Sequence, residues 1–555
     1  MIRTFFIAFI LLFLSACESY NTIEDSVPSV EGDIVDSDAW YSDNFDVVTD
    51  INITIPVPNE YLCSPYNNLE APPRPCTLED VYNDTDANDE YKPKLHVYFS
   101  AKDYENINNL PNAEFYQKGK STRNSKLKSY RIKLDEDANL FHNERSIQLN
   151  KHPNDHSRVR NRLAFEFFEE IPNFTSLKTK FCRLNVDGKD YGLFTHVENG
   201  DKYFLQNRGW SEEDYLYKAQ NFAFTIDEGM EIDLKGKPLD KKAFEAVIEP
   251  QTGKDFTKLI DMINAINETQ TDEEFEKVFN RYFNRSNYIT WMAINLIMAN
   301  KDTVSQNFFL YNPKGSDTFY FTPWDYDGTA SDTDEYAKWE LGISTWWGIP
   351  LHQKFLAVKK NRDDVDTMVT NLRENYITPE KIEEKLKRYK ILVEPFMQRS
   401  PDIDILSYAR WEKDFKSLVS RLDVNIKNYR DQFGSPMPFW QNYKYVDGIL
   451  TLSWDEAVDF EGDEIVYDLL CADNPDMNNT IIDRKGLSSK NGELNVSLWG
   501  SLSYSLNIDL KSGDHLFMKV IAKEKDNPLH YQISFDNEVK VNDVYYFGEL
   551  EFKVE

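Results

Sequence analysis

Four polar side chains in the stretch NLIMANKDTVSQNFFLYNPKGSDTFYFTPWDYDGTASD carry the clearest chemistry in the chain. Asp302 and Asn307 are spaced D-x-x-x-x-N between an apolar helical run and an apolar strand, and a second strand then delivers Asp325 and Asp327. Phosphoryl transfer needs this combination: a carboxylate to orient the incoming hydroxyl and accept its proton, and oxygen ligands to hold a divalent metal against the phosphates. The plainer alternative is that these residues form turns, as Asp and Asn commonly do at strand ends. An EF-hand is excluded, because Gly328 falls fourth counting from Asp325 rather than sixth.

A second stretch, EFYQKGKSTRNSKLKSYRIKL, ends its first strand on Gly119-Lys120-Ser121-Thr122. A P-loop is excluded there, because Glu114 stands where the first glycine of that motif must curl around phosphate. Lys128 shares its alternation phase with Tyr130, Ile132 and Leu134, which points it inward, where an ammonium can neutralise phosphate charge. A solvated surface lysine is the alternative.

The elements that must position these groups follow from periodicity. Alternation starts near residue 47 and runs through KLHVYFS, KSYRIKL and RSIQLN, and SRVRNRLAFEFFEEI then has helical spacing. FCRLNVDGKDYGLFTHVEN reads as a hairpin turning at Asp187-Gly188. From about residue 240 to 435 the pattern is mostly helical, broken by the strands NFFLYN and TFYFTPW. A β-rich half over 47–200 and a helical half over 201–435 predict a bilobal α+β layout with a ligand cleft at the joint. Residues 436–555 predict a separate all-β sandwich. That unit resembles a fibronectin type III module, with Trp454 at the early core position and LKSGDHLFMKVIA at the late hairpin; Leu516-Phe517 replaces that family's corner tyrosine.

Together, KGKSTRNSKLKSYRIKL, SRVRNRLAFEFF, DGKDYGLFTHVENGDKYFL, LYKAQ, NKDTVSQNFFLY and FTPWDYDGT resemble the CotH family, spore-coat-protein-H-like atypical secreted protein kinases, over about residues 95–420. The resemblance implies a kinase-like fold that uses ATP and Mg2+ or Mn2+ to phosphorylate protein Ser or Thr. It implies Asp302 as the catalytic carboxylate, Asn307 and Asp325 as metal ligands, and Asp327 either as a bridging group or as a support behind those ligands. By the same analogy Gly119 lies in a turn that closes over phosphates, Glu166 pairs with Lys128, and Glu198 at the hinge reaches the nucleotide ribose. A helix-capping role is the alternative for Glu198.

With 63 basic against 94 acidic residues the net charge is −31, which argues against a nucleic-acid partner. MIRTFFIAFILLFLSAC reads as a secretory signal over 1–17 whose Leu14-Ser15-Ala16-Cys17 end resembles a lipobox, so the expectation is cleavage before Cys17 and its lipidation. Glu18 rather than Asp after the cysteine favours the outer membrane, by resemblance to Gram-negative lipoproteins, and 18–46 reads as an acidic tether. Cys63 and Cys76 bracket a Pro-rich loop that a disulfide would staple in an oxidising compartment. The leading function is a lipid-anchored kinase acting on a protein substrate. The rival is an inactive kinase-like surface binding or adhesion lipoprotein, since ATP is scarce outside the cytoplasm.

Overall fold

The computed structural model describes Tyr41 and residues 47–554, apart from 88–89, 107–108, 120, 173, 334–335, 498–499, 536–538 and 543. Cys17, the signal and most of the tether lie outside the described residues. No helix among the described residues is long and apolar enough to cross a membrane.

The alternating strands of the first half close on themselves. Thr49–Thr54, Leu95–Ala101, Ala113–Lys118, Ser129–Leu134, Ser146–Asn150, Lys189–Val197 and Thr179–Val186 neighbour one another in that order, and the last pairs in parallel with the first to complete a barrel. Asp187 and Gly188, at φ 48° and 77°, make the two-residue turn between the last two strands in sequence. This is the left-handed backbone that such hairpins require. Inside the barrel, Phe115, Tyr130, Ile132, Leu134, Ile147 and Leu149 are buried together. A disulfide joins Cys63 to Cys76, with Cα atoms 5.2 Å apart, beside the short ladder of Leu62–Cys63 with Arg74–Pro75.

The helix Arg160–Glu170 follows the barrel in sequence only in part, for it is inserted before the final hairpin, and its apolar residues pack into the helical core rather than the barrel. At the centre of that core lies Arg285–Met298, buried on every face from Asn287 to Met298. A helix that is apolar all round belongs in an interior. Against it lies a four-stranded antiparallel sheet ordered Ile248–Thr252, Tyr215–Ala219, Phe308–Asn312, Tyr320–Pro323. The long helices Lys359–Asn375, Pro379–Met397 and Tyr408–Asp431 complete this half.

The carboxy-terminal region is β-rich, and its two main sheets share one buried core that includes Trp454, Tyr467, Met518 and Phe552. It is seated on the helical half. Phe535 joins the helical core, its ring 5.7 Å from that of Trp339, and Trp347 meets Phe460 at 5.3 Å. Gln532 donates to Ser344 Oγ at 3.1 Å across the same buried seam.

Candidate active site

The central helix ends in a tight turn that aims Asp302. Ala299, at φ 48°, caps Arg285–Met298 in the left-handed conformation, and a short 3-10 turn over Lys301–Val304 follows at once. Asp302 therefore emerges at the helix end with its side chain accessible. Asn307, also left-handed at φ 58°, turns the chain into the strand Phe308–Asn312. Phe308 pairs with Pro323 on the next strand, so the ladder continued by one residue sets Asn307 across from Trp324, beside Asp325.

The loop after that strand is tied to two helices and braced by one bond of its own. Tyr326 N donates to Asn161 Oδ1 at 2.6 Å, Ala330 N donates to Met298 O at 2.7 Å, and Thr329 Oγ1 donates to Tyr326 O at 2.7 Å. Asp325 sits here at φ 54°, a strained conformation for a residue with a side chain. A Cβ placed on Gly328 would lie 3.9 Å from Asp302 Oδ2, so the Asp302 carboxylate stands against the end of this loop. Asp327 faces the buried His152, whose Nδ1 is 3.4 Å from its Oδ2.

The barrel contributes the opposing charge from its outer face. Along Ala113–Lys118 and Ser129–Leu134, Phe115, Tyr130 and Ile132 point into the barrel, so Lys118 and Arg131 point out. Lys118 Nζ donates to Asn150 Oδ1 at 2.5 Å and lies 5.7 Å from the centre of the Trp324 ring. Lys218, from the four-stranded sheet, lies 4.6 Å from the same ring. Arg131 donates to Gln148 Oε1 at 3.2 Å.

These charges act on one another. Protein encloses Asp325 while leaving it open to the cleft, and that desolvation, with Asp327 beside it, pushes its carboxyl up to about 6 against Lys118, His152 and Lys218. Burial pushes the Lys118 ammonium down to about 7, helped by Arg131 and Lys218 and opposed by Asp325 and Asp327. Burial alone would raise Asp327, but the His152 hydrogen bond and the charges of His152, Arg160 and Lys118 hold it below the usual carboxylate value. Asp302 stays open on one side, yet the protein packed around it strips enough water to raise its carboxyl, with Lys301 opposing and Asp327 and Glu340 adding to the rise. Carboxyls whose environments push them apart in this way suit distinct roles.

Three sequence expectations are corrected. Lys128 lies beyond the start of its strand, donating to the Arg123 carbonyl, with its Nζ 5.4 Å from the Tyr82 ring centre. Among the charges that shape Asp325, its place is taken by Lys118. The strand that follows turns Tyr130, Ile132 and Leu134 toward the barrel interior, whereas Lys118 and the acidic groups lie on its outer side. Glu166 pairs not with Lys128 but with Arg162 at 2.8 Å and Lys385 at 3.3 Å. Glu198 is fully buried, bound by Arg208 through two contacts of 2.9 Å and by Lys178 N at 3.1 Å, so it offers nothing to a ribose. The residues missed are Lys118, Arg131, Lys218 and His152. Lys118 had a signal: it sits in the same basic stretch, on the opposite alternation phase.

The donor set fits a magnesium or manganese triphosphate. Such ions take one or two carboxylates and complete their shell with water and phosphate oxygens, and Asp325 with Asn307 offers that partial set. Among the described residues, the carboxylate trio whose ligand atoms all fall within 4.8 Å of one another is Asp459, Asp463 and Glu524, in the carboxy-terminal region. The cleft is thus no three-carboxylate cage. Two buried nitrogens beside it, His152 Nε2 and Arg131 Nε, have no hydrogen-bond partner, as a site awaiting an anion or water would leave them.

A mixed fold with a barrel, a central buried helix and a cluster of acidic and basic groups acting on one another defines the class, and comparison with known proteins gives the family. Residues 115–425, more than half of the chain, match the family model described as CotH kinase protein. The chain belongs to the CotH kinase family. It is 30% identical over 215 residues to the inner spore coat protein H of Bacillus subtilis (strain 168), a match covering 38% of this chain and 57% of that protein, less than two thirds of its length.

Proposed function

We propose that the cleft transfers phosphate from ATP to a Ser or Thr hydroxyl of a protein, with Mg2+ or Mn2+. In this reading the barrel is the amino-terminal lobe and the helical half the carboxy-terminal lobe of a kinase-like domain. The observation that carries it is the apposition of Asp325 and Asp327 on the helical side to Lys118 on the barrel face, with Lys218 and Arg131 beside that lysine and Asp302 next to Asp327. Metal and triphosphate, when bound, supply the transferable phosphoryl group and the positive charge that offsets its oxygens. Lys118, Arg131 and Lys218 would neutralise phosphate oxygens, Asp325 and Asn307 would hold the metal, and His152 keeps Asp327 ionised as a bridging group. Asp302 orients the acceptor hydroxyl and takes its proton, a task helped by its raised pKa.

The Cys17 lipid anchor, the outer-membrane location and the 47–200, 201–435 and 436–555 domain division belong to the same proposal. The Cys63–Cys76 disulfide and the coat location named for the relative support an extracytoplasmic setting. The test is transfer from labelled ATP with magnesium or manganese, comparing wild type with Asp302→Ala. The variant should lose about 100-fold or more. Equal incorporation removes Asp302 from the chemistry, and no nucleotide-dependent change in melting temperature with either metal leaves the rival reading, an inactive binding protein.

A further inference from the structure

Asp302 has a second open side. Its carboxylate lines a cavity of about 710 Å³ whose other wall is the helix Tyr408–Asp431. Five cationic side chains and three carboxylates line that cavity, an inversion of the balance in a chain of charge −31. Three of the cations are engaged: Arg160 with Asp414 at 2.9 Å, Arg421 with Asp332 at 2.8 Å, and Lys301 with Glu340 at 2.5 Å. The other two, Arg410 and Lys413, are exposed and have no ion pair among the described residues.

The placement of Arg410 is unfavourable for stability alone. Arg410 stands in the first turn of its helix, after the N-cap Ser407, where the positive end of the helix dipole disfavours a cation. His156, which lines the same cavity, is pushed down by burial and then by Arg410, which reports the same positive field. Two cations without an ion pair among the described residues thus line the wall across the cavity from the Asp302 carboxylate, an arrangement that suits negative charge flanking a hydroxyl.

We propose that this cavity receives the phosphate acceptor and selects a Ser or Thr segment flanked by Asp or Glu. The inference rests on the reading of Asp302 given above. Arg410 and Lys413 take the flanking carboxylates while the hydroxyl reaches Asp302, and a segment flanked by Lys or Arg is repelled.

Fluorescence anisotropy on the full chain tests it with three labelled Ser peptides that differ only in acidic, neutral or basic flanks. The acidic peptide should bind about tenfold or more tighter than the basic one, with an affinity that falls as salt rises. The double variant Arg410→Glu, Lys413→Glu should abolish that preference, and the milder Arg410→Gln, Lys413→Gln should reduce it, with circular dichroism checking that both fold. An acidic-peptide affinity unchanged by charge reversal, or a basic peptide bound as tightly, overturns the inference. Phosphate incorporation measured in the same samples separates the two proposals. Acidic peptide bound but labelled equally by Asp302→Ala sinks the chemistry and leaves the docking site. Asp302-dependent labelling with no flank preference sinks the docking site and leaves the chemistry.

Discussion

Lys151 Nζ and Asp402 Oδ1 meet at 2.7 Å in the interior, joining positions 251 residues apart. The other Asp402 oxygen accepts from Leu193 N at 2.9 Å, and Lys151 also donates to Tyr191 O at 2.8 Å. The pair therefore fastens the last barrel hairpin to the segment after the helix Pro379–Met397. Gly192 makes room for it: at φ 80°, a Cβ there would fall 2.0 Å from Asp402 Oδ2.

Breaking a buried pair from one side leaves the other charge stranded. Asp402→Ala should lower stability by roughly 3–5 kcal/mol in chemical denaturation. Gly192→Ala should destabilise too, through strain and collision at the same joint. A loss under 1 kcal/mol for Asp402→Ala, as for an exposed pair, would show that the tie is dispensable.

The two lysines of the basic stretch should separate cleanly. Saturating nucleotide and metal at a hundredfold above the dissociation constant should stabilise the wild type by about 2.7 kcal/mol. Lys118→Met should remove most of that stabilisation, because its ammonium faces Asp325 across the cleft. Lys128→Met should leave it intact. The reverse pattern in a thermal-shift titration would restore Lys128 to the site.

Asp325 makes the metal-free cleft pH-sensitive. Its carboxyl is raised to about 6, above the value of 3.8 expected in an unfolded chain. Its contribution to stability is therefore full below that unfolded value and lost as pH rises through about 6. Asp325→Asn should raise the melting temperature of the metal-free protein at pH 7.5 by about 1–3 °C, and that gain should vanish near pH 4. Nucleotide–metal stabilisation of the wild type should fade below about pH 6, where Asp325 is protonated and cannot ligate. A melting difference independent of pH would place the shift elsewhere.

How much the sequence reveals depends on range. The placement of Asp302, Asn307, Asp325 and Asp327 on one helix–strand–strand stretch is legible because local pattern orders such a stretch. Asp187-Gly188 likewise announced its hairpin. Lys118, Arg131 and Lys218 were not legible as partners, because their meeting depends on barrel closure and on which face of the barrel looks at the cleft. Alternation separates two faces of a strand without saying which one the site uses. The same ambiguity misplaced Lys128. Glu166 and Glu198 failed for another reason: each is consumed by an arginine on the same helix or a nearby one, Arg162 and Arg208, and a pattern of charges does not show which acid a distant cation will find.

The seam around Phe535 has a practical consequence for anyone shortening the protein. Residue 435 looks like a natural place to cut, since strand patterning changes character there. Yet Phe535 fills part of the helical core, and Trp339 and Trp347 rest against rings from the far side of that cut. A fragment ending at 435 would present bare indoles and an unfilled notch to water, so it should be stickier and melt earlier than the whole chain. Useful truncations will have to begin from the other end.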